Sequence, residues 1–205
     1  MFEERSIQEI MRERKVSTEV FEIIQSLKKI GLVFDLNEGP WVAGGSLTKA
    51  MLNEPLGDSD IDIFFPNTKT YGLFVDLIRR NKSRVELLAN TFASETFMIK
   101  GIPTKIQFVK FKHKYSNRYK LLSHFDFNIV KAMTDGERML YHKRFFKDLD
   151  ARVLALEHYP INLTDNDLTI RTVKYILRGF QVDTATAMKI IAHNSKAIKS
   201  ESLYR

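Results

Sequence analysis

Residues 41–65 read "WVAGGSLTKAMLNEPLGDSDIDIFF", with two aspartates set into the end of an otherwise apolar run. Side chains of an extended strand alternate between faces, so Asp60 and Asp62 share one face while Ile61 and Ile63 take the other. Alternate strand positions lie ~7 Å apart along the backbone, near enough for both carboxylates to hold one or two divalent cations. Without a cation the pair repels, and only protonation relieves it. Upstream, "PWVAGG" suits a short buried strand ending in a glycine turn, and "SLTKAMLN" suits a short helix capped by Ser46. Gly44 and Gly45 let the backbone approach a ligand closely, the helix start offers N–H groups to a phosphate, and the Ser46 hydroxyl adds a donor. An anion cradle beside a metal-holding strand is an arrangement for phosphoryl transfer.

Composition sets the frame. A chain of 205 residues with 44% hydrophobic content makes one domain, or one domain with a small appendage. No apolar run approaches the ~18 residues that would cross a bilayer. The start, "MFEERSIQEIMRERK", is mixed in charge and unlike a secretory leader, and cysteine is absent, which removes disulfides and thiolate chemistry. A cytoplasmic setting is the expectation. Net charge is +7, and its distribution is uneven. From Thr96 to Phe125 there is no acid, while Lys105, Lys110, Lys112, Lys114, Arg118 and Lys120 alternate with Phe108, Phe111, Tyr115 and Tyr119. Cations interleaved with rings suit a nucleic acid. The same stretch also reads as a solvated strand and helix whose rings enter the core.

Apolar spacing predicts helix over 3–30 with a break and restart at "STEVFEII", capped by Ser17 or Thr18, and a stop at Gly31. "DIDIFF" reads as strand, "KTYGLFVDLIRRNK" as amphipathic helix, and "ETFMIKGIPTKIQFVKF" as a hairpin turning at Gly101–Pro103. "NRYKLLSH" suits a short helix, "FDFNIVKAM" a strand, and "RMLYH" a strand pairing back across "TDGE". "KDLDARVLALEH", "DLTIRTVKYILRGF" and "TATAMKIIAHNSKAIKS" read as three helices.

The 41–65 stretch resembles the signature of the nucleotidyltransferase superfamily of DNA polymerase β: a strand, GG or GS, a short helix, then an acid–apolar–acid strand. Residues 124–132, "HFDFNIVKA", resemble the "RRDFTINA" strand in the head of bacterial poly(A) polymerases and CCA-adding tRNA nucleotidyltransferases, with His124 and Phe125 in place of the paired arginines. "DLDARVLAL" (148–156) and "DLTIRTVKYILRGFQV" (167–182) resemble segments of that family's neck. The resemblance implies an α+β fold, a mixed sheet backed by helices, with a catalytic domain over residues 1–145 and an all-helical neck-like extension over 146–205. It implies Mg²⁺, as one ion or two, on Asp60 and Asp62, with Asp126 assisting catalysis. Gly44, Gly45, Ser46, Lys49, Arg171 and Arg178 would bind the NTP, and the basic stretch would guide an RNA or tRNA 3′ end. Two family features are missing. The third carboxylate that superfamily members carry on a later strand has no counterpart in "TKIQFVKF", and the family's base-reading acidic–x–x–arginine motif is not visible. Three readings therefore stand: transfer of a nucleoside monophosphate to RNA, transfer to a protein or small molecule, and a non-catalytic module that binds nucleotide, RNA or protein.

Overall fold

The computed structural model describes residues 1–81, 83–110, 112, 115–157 and 165–192. The chain opens with strand β1 (Phe2–Ser6), followed by helices α1 (Ile7–Glu13) and α2 (Glu19–Lys29). Next come β2 (Trp41–Ala43), α3 (Gly45–Met51), β3 (Ile61–Phe64) and α4 (Thr68–Arg80). Strands β4 (Val85–Asn90), β5 (Ser94–Ile99) and β6 (Ile106–Val109) precede α5 (Arg118–Ser123), β7 (Ala132–Thr134) and β8 (Arg138–His142). The remainder holds α6 (Phe145–Asp150), β9 (Val153–Leu154), α7 (Asp165–Ile176), β10 (Gln181–Val182) and a helix α8 over 184–192.

Eight strands form one mixed sheet in the order β1-β8-β7-β2-β3-β6-β5-β4. One interior pair, β3 and β6, is parallel with Asp62 opposite Gln107, and the other neighbours run antiparallel. The period-2 reading of β3 holds in the packing. Ile61, Ile63 and Phe65 enter a large core with α2, α3 and α4, while Phe64 packs on the opposite face with Trp41, Leu121 and Leu122 of α5. Phe145, Leu149, Leu154, Leu168 and Tyr175 join that large core, so the C-terminal elements pack against the sheet side of the molecule rather than apart from it.

Four local expectations change. Residues 2–6 are extended and pair with β8, and the helix begins only after Ser6. A capping box fixes that start: Glu9 N–H donates to Ser6 Oγ at 3.1 Å and Ser6 N–H to the Glu9 carboxylate at 3.2 Å. Gly44, with φ +92°, caps α3 in place of Ser46, which lies inside the first turn. "FDFNIVKAM" is a 3₁₀ turn over Asn128–Val130 before it becomes β7. Side-chain bonds hold that turn, since Asp126 Oδ1 accepts the Phe127 N–H at 2.8 Å and Asn128 Nδ2 donates to Asp148 at 2.8 Å. Lastly, "KDLDARVLALEH" stops being helical at Asp150. Arg152 takes φ +51°, and β9 then pairs in parallel with β10. The edge strand β4, which carries no alternating pattern, is legible only in the structure.

Candidate active site

The turn between β2 and α3 faces the start of β3 across a cavity of about 500 Å³. Gly45, Ser46 and Lys49 line one wall, Asp60 and Asp62 a second, and Lys174, Tyr175 and Arg178 of the α7 region a third. Gly44 is fixed by its positive φ, a backbone region that L side chains resist, and its N–H is anchored to the Ala132 carbonyl at 3.1 Å. At Gly45 a Cβ would stand 3.7 Å from the Tyr175 hydroxyl, filling space the cavity now keeps open. Both Gly45 and Ser46 lie in the first turn of α3, where backbone N–H groups have no partner within the helix. Ser46 is 3% exposed and its hydroxyl makes no hydrogen bond, a buried polar group with a free donor.

Electrostatics concentrates on Asp62. Burial, then the neighbouring charge of Asp60, pushes its carboxyl up to about 7 from the ordinary 3.8, against a smaller downward pull from Arg171 and Lys174. A carboxylate this reluctant to ionise has a strong call for a cation. Two acids on one strand face beside an unpartnered hydroxyl fit a hard divalent ion with oxygen ligands such as Mg²⁺. No group of three or more acids, histidines or cysteines able to hold a metal occurs among the described residues. Lys49 is also strained electrostatically. Burial and the charge of Arg178 lower its pKa, and its ammonium donates to the Leu56 carbonyl.

The other expected residues sit as follows. Arg178 lines the cavity and is tethered to Glu54 at 3.3 Å, which also holds Arg152 at 3.1 Å. Asp126 does not line the cavity. It is fully buried and pairs with Arg171 Nε at 2.9 Å, so it fixes that guanidinium instead of facing the paired aspartates. Two cations of the basic stretch are engaged internally. Lys110 donates to Asn90 Oδ1 at 2.8 Å and to the Thr91 carbonyl, holding the turn after β4. Arg118 is drawn to Glu4 of β1 at 3.0 Å and lies over the Tyr119 ring. Lys105 and Lys120 are exposed, as is Lys112, whose ammonium lies 5.4 Å from the Phe92 ring centre; Lys114 falls outside the described residues.

Lys174, Tyr175, Gln107, Asp58 and Ser59 also line the cavity and were not expected there. Lys174 had a signal: 171, 174 and 178 follow the i, i+3, i+7 spacing of one helix face. Tyr175 read as one more apolar position. Its ring packs 6.0 Å from Phe127 and 5.5 Å from Phe180, and burial pushes its hydroxyl up to about 12.

No curated protein matches the sequence. Solved structures do. The Thermotoga maritima CCA-adding enzyme complexed with tRNA aligns over 91% of this chain and 44% of its own, with a TM-score of 0.63 at 18% identity. A CCA-adding enzyme in complex with ATP aligns over 94% and 46%, with a TM-score of 0.65 at 17% identity. A tRNA nucleotidyltransferase complexed with a primer tRNA and an incoming ATP analogue aligns over 87% and 52%, with a TM-score of 0.56 at 16% identity. These likenesses establish the nucleotidyltransferase fold, and the chain spans about half the length of the enzymes it matches. A sequence model of the Gabija anti-defense 2 (Gad2) family matches residues 11–152, well over half of the chain. With that match laid over a nucleotidyltransferase fold, the protein belongs to the Gabija anti-defense 2 family.

Proposed function

We propose that the chain is a divalent-cation-dependent nucleotidyltransferase that moves a nucleoside monophosphate from an NTP to an acceptor hydroxyl and releases pyrophosphate. The observation that carries this reading is the convergence of Gly45, Ser46, Asp60 and Asp62 on one cavity walled by Lys49, Lys174 and Arg178. In this reading Asp60 and Asp62 hold Mg²⁺, which when bound neutralises triphosphate charge and draws electrons from the reacting phosphorus. The first-turn N–H groups of α3 and the Ser46 hydroxyl bind the terminal phosphate oxygens, and Gly44 turns the chain to present them. Lys174 and Arg178 add positive charge across the cavity from the acids, with Glu54 restricting the swing of Arg178. Asp126 acts as a positioning residue through Arg171. Residues 1–145 would supply the metal and phosphate side, and 146–205 the neck-like wall.

The preferred acceptor is an RNA 3′ end, supported by the tRNA complexed with two structural relatives and by the exposed Lys105, Lys112 and Lys120. A protein acceptor is favoured by a different observation. The family's name sets its members against Gabija, and Lys110 and Arg118 are tied up in internal contacts. One experiment separates the two. The protein is incubated with Mg²⁺ and each α-labelled NTP, together with either purified RNA or Gabija proteins. Label retained on RNA supports the first acceptor and label on protein the second. Asp60→Ala should abolish either signal while the circular dichroism of the fold is unchanged. Full transfer by that variant would remove the site assignment.

A further inference from the structure

The neighbour of Asp62 across the sheet is an amide. β3 and β6 are parallel, Asp62 and Gln107 are paired in register, and both side chains line the cavity. Paired strands lie ~4.8 Å apart, and of the two neighbours of β3 it is β6 that places a polar side chain, at position 107, where an anionic oxygen could reach an ion on Asp62. Gln107 offers a carboxamide without charge, its nitrogen 3.4 Å from Thr96 Oγ1. Asp58 lines the same cavity from the turn before β3, yet no three acids among the described residues cluster closely enough to share a metal. From α7, Lys174 enters the cavity with no acid salt-bridged to it among the described residues, and its charge acts on Asp62. A second dication beside Asp62 would face that ammonium with no further carboxylate to hold it, a repulsion that a low-dielectric cavity strengthens.

We infer that this is a one-cation site: Asp60 and Asp62 hold a single divalent ion with the nucleotide, and Gln107 together with Lys174 excludes a second. Position 107 thus sets the metal stoichiometry of the chain. The inference rests on the nucleotide-binding reading above.

The test is Mn²⁺ binding to the full chain in the presence of a non-hydrolysable α,β-methylene ATP analogue, followed by calorimetry and by electron paramagnetic resonance. The expected result is one Mn²⁺ per chain with an uncoupled spectrum. Gln107→Glu should raise this to two, with the exchange-coupled spectrum of ions held about 4 Å apart. Two ions in the parent chain overturn the inference and leave the nucleotide reading standing. A folded Gln107→Glu protein that still binds one ion also overturns it, and Gln107→Asp serves if the first variant does not fold. No Mn²⁺ uptake with nucleotide would overturn the nucleotide reading and this inference with it.

Discussion

Replacing Asp62 by Asn should stabilise the metal-free protein while removing the magnesium binding proposed for it. In the folded chain burial and Asp60 hold this carboxyl at about 7, against 3.8 ordinarily. Above pH 7 folding must therefore place an ionised group where ionisation is disfavoured, and below the ordinary value the group is protonated in both states and costs nothing. The difference of about 3 pH units is worth ~4 kcal/mol. Asp62 keeps some contact with the solvent of the cavity, so half of that, about 2 kcal/mol, is the working figure. In a chain of this size 1 kcal/mol shifts Tm by about 2–4 °C, so Asp62→Asn should gain about 4–8 °C at pH 8 without divalent ions. On that working figure the gain should shrink to about two thirds by pH 5 and be nearly gone by about pH 3. Differential scanning calorimetry across that range is the assay. A second arm adds Mg²⁺ with the ATP analogue, which should raise Tm of the parent and not of the variant. A variant no more stable than its parent at pH 8, or one that keeps its whole advantage at pH 5, would refute this account of Asp62.

The buried pair between Asp126 and Arg171 should be asymmetric. Arg171→Ala leaves a fully buried carboxylate with only the Phe127 N–H, and should cost about 3–5 kcal/mol in urea unfolding. Asp126→Asn leaves a guanidinium with 38% of its side chain already exposed, and should cost about 1–2 kcal/mol; equal losses would contradict the assigned burial. If the acceptor is RNA, anisotropy with a labelled oligoribonucleotide should give a log–log salt slope near −2, from three exposed lysines at about −0.7 per neutralised phosphate. Lys105→Ala should flatten that slope by about 0.7, whereas Arg118→Ala, already engaged by Glu4, should leave it unchanged.

The proposed metal role would set function and stability in opposition at one residue. Asp62 lies on the face that also carries Phe64, which packs edge-on against Phe125 and Tyr115 at ring distances of 5.6 and 5.4 Å. That aromatic cluster covers the sheet face one residue pair beyond Asp62. The burial that raises the Asp62 carboxyl's pKa also strengthens its attraction for a cation. Sites of this kind are less stable than their neutral substitutes, because the charge they need has no partner until ligand arrives.

How much of this was legible beforehand differs by element. Along 41–65, local chemistry and fold agree: alternation sets the faces of β3, and Gly44 is needed by its backbone conformation, so the strand–turn–helix–strand unit could be read from residue types alone. At residues 2–6 long-range pairing with β8 outweighed a helical pattern. At 126–130 side-chain bonds to the backbone and to Asp148 outweighed a strand pattern. Whether a cation is free depends on partners far away in sequence. Lys110 and Arg118 read as unengaged cations until Asn90 and Glu4 are placed beside them, and the partner of Asp126 is unknown until Arg171 meets it. Periodicity and glycine conformation are local, so residue types alone set the strand–turn–helix–strand unit and its two acids. Which cations face those acids, and that an amide stands beside Asp62, follows from long-range contacts: register between β3 and β6 and the docking of α7 bring together residues that are forty to more than a hundred positions apart.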